Sequence, residues 1–348
     1  MTSATALSRW SFGLLATAAV LPIIAAQLSP AAAAGELKVV ATIKPIHSLV
    51  AQVMEGIGKP ALLVDGKASP HSFSLKPSDA RALNSADVVF RVSPSLEPFT
   101  IKVAEALPKS VTLVTLSEAQ GVALLDTRTS ATFEAHEHGE GHDAHGKESH
   151  GKGPAEHSGH DDHDGHDDDD EHAHGGKDGH IWLDPENARA IVRAAATALA
   201  ARAPDLAGKL EANAAAAIAR IDALDAELKS SVAGLAGKPF IVFHDAYQYF
   251  ERRYGLGAAG SITLNPEVKP SAKRLTAIRA KVQKLGATCV FAEPQFSPRI
   301  VASVIEGSAA RSGELDPEGA SIPNGPELYP TLMRNLARSL NDCLAPRS

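Results

Sequence analysis

Imidazole is the side chain best suited to hold a divalent transition metal near neutral pH, and the fifteen histidines of this chain are spread very unevenly. Eleven of them (His136, His138, His142, His145, His150, His157, His160, His163, His166, His172 and His174) crowd into one acidic tract that contains "HSGHDDHDGHDDDDEHAHGG". Only His47, His71, His180 and His244 stand elsewhere. His71 lies in the loop "DGKASPHSFSLKPSD" beyond the apolar run "ALLV", His180 sits in "GHIWLDPE" just ahead of a helix start, and His244 directly follows "PFIVF". Ligands of open α/β sheets bind outside the carboxyl ends of strands, so His71 and His244 stand where sites form, one in each half of the chain. Three histidines converging from three segments would make a nitrogen site for Zn²⁺, which favours tetrahedral coordination with Zn–N distances of about 2.0–2.1 Å. Water or a carboxylate would fill the fourth position, and Asp316 in "GELDPEG" is the best carboxylate by position. Each residue also has a plainer role. An isolated histidine at a strand end is often a local hydrogen-bonding group, and Asp316 can start a turn before Pro317. His47, in the first turn of a helix, reads as structural.

A zinc site of three protein ligands and a water can also be hydrolytic, provided that a general base stands beside the metal. Glu293, at the end of "TCVFA", is the only strong candidate, and no helix-borne HExxH motif exists. The chain therefore reads as a binder and not as an enzyme. The two cysteines, Cys289 and Cys343, form no CxxC pair, which argues against a thiolate site. In an oxidising compartment they are expected to form one disulfide tying the C-terminal segment to a buried strand, the alternative being two separate buried thiols.

These residues need a scaffold, and the apolar pattern describes one. From residue 36 to about 125, short apolar runs ("LKVVATI", "PALLVDG", "DVVFRV", "SVTLVTL") alternate with helical patterns, among them "PIHSLVAQVMEGI" with Ile46, Leu49, Val50, Val53 and Ile57 at helical spacing. Strands separated by helices of this length favour a parallel sheet with helices on its faces. Asp184-Pro185-Glu186 marks a helix start, with a capping acid, proline at the first helical position and an acid in the first turn. A helix from Pro204 to about Ala233 carries the stripe Leu206, Leu210, Ala214, Ile218, Ile221, Leu224, Leu228 and Val232. At 1.5 Å per residue it is on the order of 40 Å long, enough to span two lobes. The alternation then restarts with strands "KPFIVF", "GSITL" and "TCVFA" and helices "AYQYFERRYG", "SAKRLTAIRAKVQKLG" and "SPRIVASVIEGSAARSG". The expected class is α/β, two lobes with parallel sheets joined by one long helix and a cleft between them. The expected boundaries are 35–203 for the first lobe, with the His/Asp-rich tract at 134–179 inserted in it, 204–233 for the linking helix and 234–348 for the second lobe.

Residues 1–34 stand outside that fold. Arg9 precedes "WSFGLLATAAVLPIIAAQL", then "SPAAAA" and Gly35-Glu36, the order of a secretory signal cleaved after Ala34. A membrane anchor is the alternative, disfavoured by Pro22 and the alanines that end the run. No cysteine near the cleavage site offers a lipid attachment point, and no second apolar stretch of spanning length follows, so the mature chain is expected to be soluble, unlipidated and periplasmic in a Gram-negative cell. The net charge of −7 conceals a division. Residues 134–180 hold fifteen acids against three lysines, a net of −12, and the other segments hold 31 bases against 26 acids, a net of +5. No concentrated basic face points to nucleic acid. The tract, rich in Gly, His, Asp and Glu, cannot bury enough apolar surface to offset the entropy of ordering, and an insertion of that length is tolerable because loop-closure cost grows only logarithmically.

"PHSFSLKPSDARAL", "GHIWLDPENA", "FIVFHDAYQYFERRYGL", "FAEPQFSP" and "LDPEG", in that order and over essentially the whole mature chain, resemble the periplasmic zinc-binding proteins of ABC importers, the ZnuA-like group. The resemblance implies two (β/α)-type lobes joined by a rigid helix, with one metal in the cleft. It also implies a monomer whose partner is the permease of a zinc importer at the inner membrane. It carries the ligand histidines of the family onto His71, His180 and His244. The acid of "LDP" maps to Asp316, a direct ligand in manganese-type relatives and often not one in zinc-type members. Manganese relatives place a carboxylate where His244 stands, in keeping with the preference of imidazole for zinc and of oxygen-rich shells for manganese. A manganese- or iron-carrying member is the alternative within the family, and a secreted zinc buffer acting through the tract is the alternative outside it. The sequence departs from the family pattern in "FRVSPSLEPF", where Arg91 and Ser93 replace an expected aromatic and glycine beside the cleft. A flexible tract holds no single coordination geometry, so its eleven histidines are expected to bind ions loosely as an accessory that gathers, senses or passes on zinc.

Overall fold

The structure is a computed structural model that describes residues 1–2, 37–130, 133, 176–287 and 289–345. The expected signal segment with its cleavage site after Ala34, and the histidines from His136 to His174, lie outside the described residues.

Strand β1 (Val39–Ile43) is buried along its whole length and feeds helix α1 (Lys44–Val53), which opens on Pro45, where a missing N–H costs nothing. Strand β2 (Ala61–Val64), helix α2 (Pro77–Asn84), strand β3 (Val88–Arg91), helix α3 (Phe99–Ala106) and strand β4 (Thr112–Thr115) complete a parallel sheet of order β2-β1-β3-β4. Its register runs Val40 against Ala61 on one side of β1 and Val39 against Val88 on the other. Consecutive strands thus leave β1 in opposite directions, and the carboxyl end of β1 is a topological switch point. Helix α4 (Pro185–Arg202) starts as its sequence requires: the Asp184 side chain accepts from the Glu186 amide, and Pro185 occupies the first turn.

Helix α5 (Ala207–Val232) is the long connector, 26 residues and therefore about 39 Å. Of the anticipated stripe, Leu210, Ala214, Ile221, Leu224, Leu228 and Val232 are buried, Ile218 is only partly buried, Leu206 lies in the turn ahead of the helix, and Ala217 joins the buried face. The second parallel sheet, β6-β5-β7-β8, comprises β5 (Phe240–His244), β6 (Gly260–Thr263), β7 (Cys289–Ala292) and β8 (Arg311–Glu314). Helices α6 (Gln248–Tyr254), α7 (Ala272–Leu285), α8 (Pro298–Ile305) and α9 (Leu328–Leu344) accompany it. One apolar cluster runs from Ile43, Leu49 and Val53 through Leu210, Ile221 and Leu228 of α5 to Phe240, Phe250 and Leu336, so the two lobes share a continuous core. Among the described residues no helix is long and apolar enough to cross a membrane.

Two elements depart from the pattern that the sequence suggests. The helix expected over "SPRIVASVIEGSAARSG" stops at Ile305, Gly307 takes a left-handed φ of 73°, and β8 follows as an edge strand. Its residues Arg-Ser-Gly-Glu carry no apolar alternation, because an edge strand buries little. Gly313 is required there, since a Cβ would come within 2.5 Å of the Phe291 ring. Helix α9 is the second departure, although Leu328, Leu332, Leu336 and Leu340 recur at i, i+4 and are all buried. It packs back on α5 and α1 and so ties the end of the chain to both lobes. Cys289 and Cys343 are joined as a disulfide across 54 residues of sequence, fixing α9 to β7; closing a loop of that length stabilises the fold by about 4 kcal/mol in the chain-entropy treatment.

Candidate metal centre

The loops at the carboxyl ends of the two sheets meet between the lobes. His71 comes from the loop after β2, His180 from the turn ahead of α4, and His244 is the last residue of β5. The ring nitrogens that these three histidines can offer lie within 4.8 Å of one another. Ring centroids are 5.6 Å apart for His71 and His180, 5.8 Å for His71 and His244, and 5.2 Å for His180 and His244.

Two of the rings are aimed by carboxylates. His180 Nδ1 donates to Asp178 Oδ1 at 2.8 Å, and its backbone N–H donates to the same oxygen at 2.9 Å. His244 Nδ1 lies 2.7 Å from both oxygens of Glu293, whose Oε1 also accepts the His244 backbone N–H at 3.3 Å. With Nδ1–H given to a carboxylate, each Nε2 presents a bare lone pair inward. Those two Nε2 atoms are 3.3 Å apart, and two nitrogens bound at about 2.05 Å to one tetrahedral zinc are separated by about 3.3 Å. His71 Nε2 is buried with no hydrogen-bond partner, as a ring nitrogen kept for a cation would be. The donor set and its spacing fit Zn²⁺.

Burial, and then the neighbouring His180 and His244, hold the His71 pKa well below the ordinary histidine range. Its imidazole is therefore neutral in the metal-free fold at pH values where an exposed histidine starts to protonate. Since the unfolded chain takes up that proton and the folded chain excludes it, stability tied to His71 is complete above about pH 6.5 and is lost as pH falls below it. Metal-free protein is expected to lose more of its denaturant midpoint between pH 7.5 and 5.5 than a His71→Gln variant does. Equal losses in the two proteins would contradict this.

Asp316 does not join the three histidines. Its Oδ1 accepts the amides of Glu318 at 3.0 Å and Gly319 at 2.9 Å, and its Oδ2 accepts that of Ala320 at 2.6 Å, so the carboxylate organises its own loop. That loop is pinned from the first lobe: Lys44 Nζ donates to the carbonyls of Ala320 and Ile322, and Trp182 Nε1 to that of Pro317. Gly66 has φ of 80° and abuts Lys44 and Ala320, where a Cβ would fall 2.6 Å from Lys44 Cδ. His47 is buried and its Nε2 bonds the Pro60 carbonyl at 3.0 Å, away from the centre. Arg91 is buried on Thr115 and Thr100, and Ser93 holds the Leu96 amide and Ser95.

A cavity of about 10 Å³ adjoins the three histidines, lined also by Ser69, Glu293, Gln295, Phe296 and Glu318. A wider recess of about 160 Å³ opens beside it between Leu96, Arg128, Lys177, Asp245 and Asn265. The two ends of the inserted tract are joined at that recess. Thr127 donates its amide to the Gly176 carbonyl at 2.9 Å, and Asp126 and Lys177 form an antiparallel bridge. Arg128, next along, pairs with Asp245 at 2.7 Å and Glu251 at 2.8 Å, which clamps the root of the insertion onto the second lobe.

Sequence reasoning misses Asp178, Gln295 and Glu318 and takes Glu293 for a possible base. The one signal for Asp178 is its place two residues before His180. Glu293 sits 49 residues from His244, and only the pairing of β5 with β7 brings the two together.

Residues 39–343 match the family model described as the periplasmic zinc-uptake complex component A, ZnuA. The high-affinity zinc uptake system protein ZnuA of Brucella suis is 47% identical over 313 residues, covering 90% of this chain and 93% of that protein. The protein of the same name from Paracoccus denitrificans is 41% identical over 326 residues, covering 92% and 97%. Among solved structures, a zinc-bound ZnuA deletion mutant superposes with a TM-score of 0.68 at 22% identity, covering 90% of this chain and 99% of that one, which shows a shared fold.

Proposed function

The chain belongs to the periplasmic zinc-uptake component A family, and on that footing we propose that it captures Zn²⁺ as the binding component of an ABC importer and hands it to a membrane permease. The cargo sits on His71, His180 and His244. The observation that carries this is the 3.3 Å separation of two carboxylate-aimed Nε2 atoms, the spacing of two ligands on one zinc. An all-nitrogen donor set supports zinc over manganese, which prefers oxygen. Both oxygens of Glu293 are engaged by His244, which favours a carrier over a hydrolase, because a general base needs a free carboxylate beside the metal.

Residues 1–34 serve as an export signal removed after Ala34, leaving an unlipidated periplasmic monomer; the Cys289–Cys343 disulfide suits that compartment. The first lobe spans 35–203, the connector 204–233 and the second lobe 234–348. The histidines of the tract, His136 to His174, act as an accessory that concentrates zinc near the recess where its ends are joined. A nanomolar site corresponds to roughly 12 kcal/mol, so release requires the permease to disturb the ligand set. The shared core and the pinned 316–322 loop favour small displacements of the histidine-bearing loops over a wide closure of the lobes. The test is growth of a strain lacking this protein on zinc-depleted medium: the intact chain is expected to restore growth and His180→Ala is not. Equal rescue by both would overturn the assignment.

A further inference from the structure

Seven buried side-chain polar atoms among the described residues have no hydrogen-bond partner, and three of them belong to residues around the small cavity: His71 Nε2, Gln295 Oε1 and Glu318 Oε2. A buried acceptor left unpaired is costly, and three around one cavity mark a place for something that donates to oxygen and accepts a nitrogen lone pair. The Gln295 amide is fixed in orientation. Its Nε2 donates to the Gly66 carbonyl at 3.2 Å and faces Asp316 Oδ1 at 3.5 Å, which directs Oε1 the other way. Glu318 is held by its own backbone, whose N–H is bonded to Asp316, and the residue is 4% exposed. Neither Glu318 nor Asp316 belongs to the set of donor atoms lying within 4.8 Å of one another, so neither carboxylate shares the histidine cluster directly.

Three histidines leave a tetrahedral zinc one further position. A water bound there gives its lone pair to the metal and has two hydrogens to donate, so its surroundings must supply two acceptors. We propose that a water completes the zinc shell and that Gln295 Oε1 and Glu318 Oε2 accept its two hydrogens, making Gln295 and Glu318 the positioning residues of the fourth ligand. This rests on the three-histidine assignment above and deepens it. Asp316 then acts one step further out, by holding the Gln295 amide and the 318–320 backbone. The arrangement also selects against small anions in the fourth position, since an anion brings no hydrogen for either acceptor.

The experiment compares the intact chain with Gln295→Leu, Glu318→Leu and the double variant. Zinc affinity is measured by chelator competition, the visible absorption of the Co²⁺-loaded forms reports coordination number, and metal-free melting curves establish folding. Glu318→Leu removes the acceptor without adding bulk and carries the test if Gln295→Leu does not fold. Each single change is expected to weaken zinc binding about tenfold, the range for outer partners of a metal ligand. The double variant should lose less than the product of the two, because both residues hold one water, and the Co²⁺ bands should remain four-coordinate. Affinities within about twofold of the intact chain would overturn the proposal, since an outer partner costs more than that, as would a loss confined to one position. A changed Co²⁺ coordination number in Glu318→Leu alone would also overturn it, by making Glu318 itself the ligand. Failure of the three-histidine assignment looks different: the unaltered chain would then show no tight single site at all, and both would fall together.

Discussion

Replacing His244 by alanine is expected to abolish tight zinc binding, with a loss larger than the roughly 10–100-fold that removal of a mere orienting partner costs. His244 contributes the Nε2 that lies 3.3 Å from that of His180, so its loss removes one arm of the closest pair in the centre. Alanine also takes the imidazole from Glu293, whose side chain is 1% exposed, leaving it the backbone N–H of residue 244, and a buried carboxylate that loses its main partner destabilises the fold. His244→Gln separates the two effects, because its amide can still donate to Glu293 while offering zinc no imidazole. Both variants should fail in chelator competition, and only the alanine variant should show a lowered melting temperature. Tight binding by either one would remove His244 from the ligand set.

The second large effect concerns Glu293. Changing it to glutamine should lower zinc affinity by about 10–100-fold. The carboxylate makes His244 a better donor in two ways: it holds Nδ1–H so that Nε2 is bare, and its negative charge raises the basicity of the ring. An amide retains the shape and loses the charge. Zinc affinity unchanged in Glu293→Gln would contradict the orienting role. A variant that kept its affinity but lost a hydrolytic activity would reinstate Glu293 as a base. The corresponding change at Asp178 tests the same chemistry on His180, with one complication. The Asp178 backbone also accepts Tyr249 Oη–H and donates to Leu125 at the root of the insertion, so part of any loss there would reflect movement of the loop.

Much of this centre is legible in the sequence alone. His71 and His244 follow apolar runs of strand length, and His180 precedes an Asp-Pro-Glu helix start that the structure reproduces at Asp184. What the pattern does not give is who faces whom. Glu293 becomes a partner of His244 through sheet pairing, a long-range consequence of register. Asp316 resembles a ligand because it is an acid in the right loop, but three successive amides claim its oxygens. An acid that precedes a Pro-Glu-Gly-Ala turn satisfies its own backbone first. Gln295 and Glu318 carry no signal by type or spacing, because a neutral amide and a third buried acid gain meaning only from the partners that they lack. Strand β8 escapes for a related reason: an edge strand of polar residues has no periodicity to read. Helix α9 does have one, in the i, i+4 leucines from Leu328 to Leu340, and its importance lies in joining the C-terminus to both lobes.

The central claim is that the cleft and not the histidine tract is the cargo site. It is tested most directly by titrating zinc, against a competing chelator, into the chain without residues 1–34 and 136–174. The Thr127–Gly176 and Asp126–Lys177 pairings bring the two ends of the insertion side by side, so a short link can replace it. Trp182 is then the sole tryptophan; it is fully buried with its ring 5.4 Å from that of His180, and its fluorescence reports on the centre. One tight zinc per chain, lost in His71→Ala, is the expected result. Absence of a tight site once the tract is removed would contradict it and make the tract the seat of metal binding.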